Sequence, residues 1–406
     1  MNISLKQYFT IFYICANCVT LCSCNWLIFP SGGSSEIEKL EPIWKSSIAS
    51  DRLVYAIFPT VSVQNGIICV AQGSDERSLL RMFDKTSGKM VWEWNGMPTN
   101  DHFLVTRVYV YNNILIIHDT KNTYSIDIIS GKTRWINRNN YSTVHWVTGF
   151  GQLYFCMADM NRIIVGNAET GVESSILIEG NPALFLPPSV YVNTENRDTM
   201  LVMGASGAEK DSTFAYYYKA YLAQYNLSKR QTVYQLLQQE GYASGTTGTL
   251  SPSNLSEIFN NQVYTAIGKS IQCNDIASGR IIWRKKFSSN FYISRIIQAD
   301  GKIICNGDDN GIMYALDNNT GNTIWETKTT TASGDMFVMN GVAYMVGLGD
   351  GRLHAVDIQS GKRIWWLTCP DNQTNSDSSF EDAVTGDGQY IYVRSRLNLY
   401  CFKAAK

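Results

Sequence analysis

The chain has 406 residues, 45% of them apolar and 12% aromatic, with 34 basic against 35 acidic side chains. That much apolar surface excludes a disordered chain, and the balanced charge gives no footing for a nucleic-acid partner. A single long uncharged stretch, at the N-terminus, excludes a polytopic membrane protein.

That stretch runs from residue 7 to residue 35, with Lys6 as the only basic side chain before it. Its apolar part, residues 8–21, is short for a membrane span and suits the apolar region of a signal peptide. It ends Leu21-Cys22-Ser23-Cys24. Leucine three residues before a cysteine, with a small residue preceding it, resembles the lipobox of bacterial lipoproteins. The resemblance implies cleavage after Ser23, a signal peptide of residues 1–23, a lipid on Cys24 and a tether over 24–40. Cys22 is the poorer acceptor, because bulky Leu21 would occupy the cleavage position. Two other readings stand beside it. The uncharged stretch continues through Trp26-Leu27-Ile28-Phe29, as in an uncleaved anchor helix, and a plain secretory signal has the same features. All three export the rest of the chain. Asn25-Trp26-Leu27 carries no acidic signal for surface export, which favours the periplasmic face.

The remainder is one repeat. A short apolar strand leads into Asp-x-x-Ser/Thr-Gly, and Trp follows eight residues after the Asp. The full copies are Asp84, Gly88, Trp92; Asp127, Gly131, Trp135; Asp275, Gly279, Trp283; Asp317, Gly321, Trp325; and Asp357, Gly361, Trp365. Two copies are degenerate. Asn167 and Gly171 are followed by Ser175 in place of Trp; Asn226 is followed by Arg230 in place of Gly and Tyr234 in place of Trp. Each element has a physical reason. Asp or Asn bonds backbone N–H groups two residues on, which starts a turn. Gly supplies the positive φ that closes it. Trp on the next strand offers a large flat surface to a neighbouring element.

The turns at 84, 127, 167, 226, 275, 317 and 357 recur at a period that holds four short strands, the size of a propeller blade. One blade reads as strands over 292–297, 302–306, 311–316 and 322–326. Residues 232–240 carry a weak helical pattern and are read as an outer strand with a decorated loop; 242–253, rich in Gly, Ser and Thr, reads as a loop. At the C-terminus, Leu399-Tyr400-Cys401-Phe402 is a third strand with no Trp strand after it. At the start of the domain, Trp44 lies on a Trp strand with no turn before it. The two halves complete one blade. The expectation is an all-β, eight-bladed propeller of four-stranded blades over residues 41–406, closed by the N-terminal strand.

This pattern resembles the pyrroloquinoline-quinone-type β-propeller repeat over roughly residues 40–403. One branch of that superfamily is quinoprotein dehydrogenases; the other is the BamB-like lipoproteins of the outer-membrane β-barrel assembly machinery. A lipobox, a short spacer and a bare ring are similar to the second. The resemblance implies a non-catalytic scaffold, with the assembly machinery or nascent outer-membrane proteins as partners and a lipid anchor in the membrane. Because the copies at Ser175 and Tyr234 have lost the motif, a propeller lipoprotein that binds another envelope protein or a ligand stands as a second reading, and a quinone-dependent dehydrogenase as a third.

Other chemistry is sparse. The adjacent cysteines that the dehydrogenase branch places beside its cofactor do not occur, and Cys15 and Cys18 fall in the leader. No cofactor or metal site is expected. His102, His118, His145 and His354 show no metal-ligand spacing. Asp308-Asp309-Asn310-Gly311 and Asp350-Gly351 lack the alternating oxygens and terminal Glu of a Ca²⁺ loop and read as hairpin turns. Of the six cysteines after Cys24, Cys69, Cys156 and Cys305 fall on second strands and Cys273 and Cys401 on third strands, as small buried residues; Cys369 is the sixth. Phe185-Leu186-Pro187-Pro188 is an apolar segment that either packs under a loop or presents a contact.

Overall fold

The structure is a computed structural model. It describes residues 40–406, except 49–59, 73–77, 97–107, 119–121, 139–143, 150, 158–161, 178–183, 186–188, 211–215, 243–256, 292–295, 308, 330–335, 348 and 374–378. Cys24 and the leader lie outside the described residues, as do His102 and most of the 242–253 segment.

The described chain folds into eight antiparallel sheets. Seven are meanders in which strands pair in sequence order, as suits short strands joined by tight turns, and the eighth adds the first strand of the domain to its last. Blade 1 is Val61–Val63, Gly66–Gln72, Ser78–Asp84 and Met90–Trp94. Blades 2, 3, 5 and 7 run from Tyr109 to Arg138, Val144 to Leu177, Glu257 to Lys286 and Phe337 to Leu367, and blade 6 is Ile297–Ala299, Lys302–Asn306, Ile312–Asp317 and Thr323–Lys328. Most of the expected 292–297 strand lies outside the described residues; the described first strand is Ile297–Ala299. First strands of neighbouring blades touch one another: blade 5 with 6, 7 with 8, and 8 with 1. They therefore surround the axis, and the last contact closes the ring into an eight-bladed propeller.

Second and third strands are covered on both sides, which explains why they read as continuous apolar runs rather than alternating ones. Ile67, Ile68, Cys69, Val70 and Ala71 are all fully buried. Outermost strands alternate: Thr323–Lys328 exposes Thr323, Ile324, Glu326 and Lys328 and turns Trp325 inward.

Blade 8 is assembled from the two ends of the domain. Trp44–Ser47 pairs with Asn398–Lys403, with Trp44 opposite Cys401 and Ser47 opposite Asn398. Blade 4 departs most from the rest. Its first strand is in two pieces, Leu184–Phe185 and Ser189–Val192, both paired with Thr199–Lys210. Between them in sequence lie Pro187 and Pro188, which have no N–H to give a ladder. Its other three strands, Thr199–Lys210, Tyr216–Asn226 and Gln231–Tyr242, are 12, 11 and 12 residues long. The weakly helical 232–240 segment is thus an outer strand.

Candidate interaction surface

The repeat turn is built by one carboxylate. Asp84 Oδ1 accepts from the Ser87 backbone N–H (2.8 Å), the Ser87 hydroxyl (2.7 Å) and the Thr86 N–H (3.1 Å). Gly88, at φ +67°, donates its N–H back to the Asp84 carbonyl at 2.9 Å. These donors favour the ionised carboxylate. The Ser87 hydroxyl, with the backbone bonds beside it, holds the Asp84 carboxyl below the usual range. Arg134 and the Ser130 N–H lower Asp127 to about 2, and Lys406 and Ser360 lower Asp357 to about 2.

The turns exist to receive an indole from the preceding blade. A Cβ built on Gly131 would stand 2.7 Å from the ring of Trp92, one on Gly321 2.5 Å from Trp283, and one on Gly361 2.5 Å from Trp325. Gly88 meets Trp44 and Gly171 meets Trp135 in the same way. Glycine is therefore required twice, by its φ and by the close approach of the ring. Each indole N–H also donates to the carbonyl one residue after the receiving blade's Asp or Asn. Trp44 reaches Lys85 (2.8 Å), Trp92 Ile128 (2.8 Å), Trp135 Ala168 (3.2 Å), Trp283 Asn318 (2.9 Å) and Trp325 Ile358 (3.0 Å). In blade 4, Tyr234 does the same through its hydroxyl, to Ile276 at 3.1 Å, with its ring over Gly279. Trp365 is buried beside Tyr344 of its own blade, ring centroids 6.0 Å apart.

Geometry, not the motif, supplies two features that sequence reasoning missed. Six outermost strands carry a bulge that skips the residue before the aromatic, seen as register shifts at Met82/Phe83, Ser125/Ile126, Gln224/Tyr225, Cys273/Asn274, Ala315/Leu316 and Ala355/Val356. Blade 3, with Ser175, pairs without one. A bulge re-aims the following side chain, here toward the next blade. The second feature joins the two degenerate copies. Ser175 sits where an indole would reach blade 4, and Arg230, at φ +55°, sits where blade 4 would receive it. They are the two sides of one joint.

The ring is clasped where the ends meet. Lys45 donates to Asp371 at 2.8 Å across 326 residues of sequence. Ser395 (2.6 Å) and Asn398 (2.8 Å) donate to the other oxygen of the buried Asp371. Burial pushes this carboxyl up, but Lys45, Ser395, Tyr400 and Asn398 together hold it below the usual range.

Among the described residues no three metal-ligating side chains cluster. His354, 2% exposed, is bonded through Nε2 to Asp350 at 3.0 Å. Gly311 and Gly351 both sit at positive φ in hairpin turns. Burial raises the thiols of Cys69 and Cys401 to about 12 and of Cys273 and Cys369 to about 11, and raises Cys305 further. Such thiols are poor nucleophiles. What the described surface does offer is eight outermost strands and the turn face. On that face an apolar cleft of about 400 Å³ lies between blades 1 and 2, lined by Val91, Val110, Ile129 and the polar Asn65 and Asn112.

Comparison with known proteins agrees with this architecture. Residues 246–406 match the family described as outer membrane protein assembly factor BamB. No curated protein sequence matches the chain. Among solved structures, BamB from Moraxella catarrhalis is 13% identical, with a TM-score of 0.61 over 90% of this chain and 100% of that one. Sqt1 of Saccharomyces cerevisiae is 10% identical, TM-score 0.62, over 88% and 98%. The quinohemoprotein alcohol dehydrogenase of Comamonas testosteroni is 12% identical, TM-score 0.60, over 89% of this chain and 76% of that one. With its repeat, its ring and these likenesses together, the chain is an eight-bladed β-propeller that resembles BamB, and its residues 246–406 match that family.

Proposed function

We propose that this chain is a non-catalytic, membrane-anchored interaction scaffold in the assembly of outer-membrane β-barrel proteins. Residues 1–23 form the signal peptide, Cys24 carries the lipid, 24–40 are the tether, and 41–406 form the propeller on the periplasmic face of the outer membrane. Two or more acyl chains on Cys24 give durable attachment, since each buried CH₂ adds about 0.8 kcal/mol. Partners are the assembly machinery and its nascent clients.

The observation that carries this reading is the match of residues 246–406 to the assembly-factor family. Coverage sets the chain apart from the dehydrogenase: it spans the whole of the BamB structure but 76% of the quinohemoprotein dehydrogenase. The means of binding follows from the ring. Each blade ends in an outermost strand, and such a strand edge is where an extended segment can pair.

Crosslinking followed by purification from membranes tests the reading. Recovery of a β-barrel assembly component is expected; repeated recovery of none, from cells in which the chain is membrane-bound, overturns it.

A further inference from the structure

The outermost strand of blade 4 breaks a rule that the other seven keep. Those seven are four to six residues long, and each carries a charged side chain: Lys45, Glu93, Arg134, Glu173, Arg284, Glu326 and Arg363 among them. Short length and charge are the devices that keep a free edge from pairing with another chain. Gln231–Tyr242 is 12 residues long, and its one charge, Glu240, stands near its end and leaves 231–239 uncharged.

One side of this strand is committed. Tyr234 and Leu236 lie over Gly279 of blade 5, and Gln238 accepts from Gln272 (2.9 Å) and Asn274 (2.8 Å). Bulges at Val233 and Gln238 bound the regular stretch 234–237. Between and beside these contacts Val233 (44%), Gln235 and Leu237 (46%) stand exposed.

The sequence of this edge is complementary to itself. Placed antiparallel to an identical strand with Gln235 opposite Gln235, it sets Val233 opposite Leu237, Gln231 opposite Gln239 and Tyr234 opposite Leu236. It also sets Arg230, at the turn that opens the strand, opposite Glu240 near its end. Apolar meets apolar, amide meets amide and base meets acid, each pair twice about a two-fold axis. Cross-strand pairs of these kinds are favourable, and identical patches related by a two-fold are the commonest protein dimer.

We propose that two copies of this chain pair through the Gln231–Tyr242 edges of their fourth blades, in antiparallel register about Gln235, joining the two blade-4 sheets into one.

The register makes the test specific. Opposite Cβ atoms of an antiparallel pair stand about 4.5–5.5 Å apart, close to disulfide distance. Only a residue on the axis faces its own copy. Full-length Gln235→Cys, oxidised in membranes and run on a non-reducing gel, is expected to migrate at twice the mass of the unaltered chain. Glu326→Cys, on the charged edge of blade 6, is expected to stay single. Glu240→Lys should reduce the Gln235→Cys dimer severalfold by setting Lys opposite Arg230, and adding Arg230→Glu should restore it. The proposal is overturned if Gln235→Cys crosslinks no more than Glu326→Cys when both reach the membrane in equal amount. Sedimentation of the unaltered chain in detergent decides independently of any variant. Two chains per particle supports the proposal, and one chain at tens of micromolar overturns it, as does capture of a foreign strand without self-association.

Discussion

The indole of Trp325 occupies the space into which a side chain at Gly361 would grow. The ring lies 2.5 Å from where that Cβ would stand, while the indole N–H donates to the Ile358 carbonyl at 3.0 Å. One residue of blade 6 and one of blade 7 thus specify each other. Gly361→Ala should destabilise the fold by more than the roughly 1 kcal/mol that a left-handed conformation costs a non-glycine residue. Trp325→Ala should cost about 3 kcal/mol. Because the clash needs both, Gly361→Ala should cost about 1 kcal/mol less in the Trp325→Ala background. Denaturant midpoints of the four chains check this; strict additivity would mean that the ring and the glycine are independent.

The turn carboxylates make the fold sensitive to acid. Asp127 and Asp357 have folded values of about 2, below the roughly 3.9 of an unfolded Asp. A group whose folded value is depressed contributes stability that is present above about pH 4 and is lost as pH falls through 2. Unfolding midpoints should therefore decline between pH 4 and pH 2. Asp127→Asn should start lower at pH 7 and decline less over that window. An unchanged slope would show that Arg134 and Ser130 do not act through this carboxylate.

The clasp should be asymmetric. Asp371 is buried and Lys45 is half exposed. Asp371→Ala removes the acceptor shared by Ser395 and Asn398 and should cost about 1–3 kcal/mol. Lys45→Ala removes a largely solvated partner and should cost under about 1 kcal/mol. Thermal unfolding ranks the two, and equal losses would place the weight of the clasp elsewhere.

Native thiol labelling at mildly alkaline pH should leave Cys69, Cys273, Cys305, Cys369 and Cys401 unmodified, since all five are buried and four are raised to about 11–12. Mass mapping before and after denaturant reads this directly. Rapid modification of any of the five in the folded protein would contradict its burial.

Cys24→Ser should abolish fatty-acid labelling and release the chain from membranes. Retention of the variant in the membrane fraction would instead favour an uncleaved anchor helix.

Much of the ring is legible in the sequence because its turn needs particular atoms. The Asp84 oxygen, the positive φ of Gly88 and the flat ring of Trp44 leave a fixed spacing that survives repetition. What spacing cannot convey is partnership between repeats. Ser175 and Arg230 read as two separate defects, since they lie in different copies of the motif; only the ring reveals that one is the missing ring and the other the missing socket. The bulge before Trp325 is silent for another reason. Five of the six skipped residues, Val91, Val233, Ile282, Ile324 and Ile364, are of the β-branched kind that a regular strand also favours, and Arg134 is the sixth. The doubled length of the blade-4 strands is masked by a Gln-rich run whose periodicity leans toward helix, and packing against Gln272 and Asn274 overrides it.

The pairing of Trp44–Ser47 with Asn398–Lys403 has a consequence in time. The last blade needs both the earliest and the latest segments of the domain to leave the ribosome, so seven blades can form while the eighth waits. Contacts this remote in sequence form slowly, although the entropy of closing so long a loop grows only with its logarithm. A chain cut short by even its final strand would keep nearly all its sheets and still lack a closed circle.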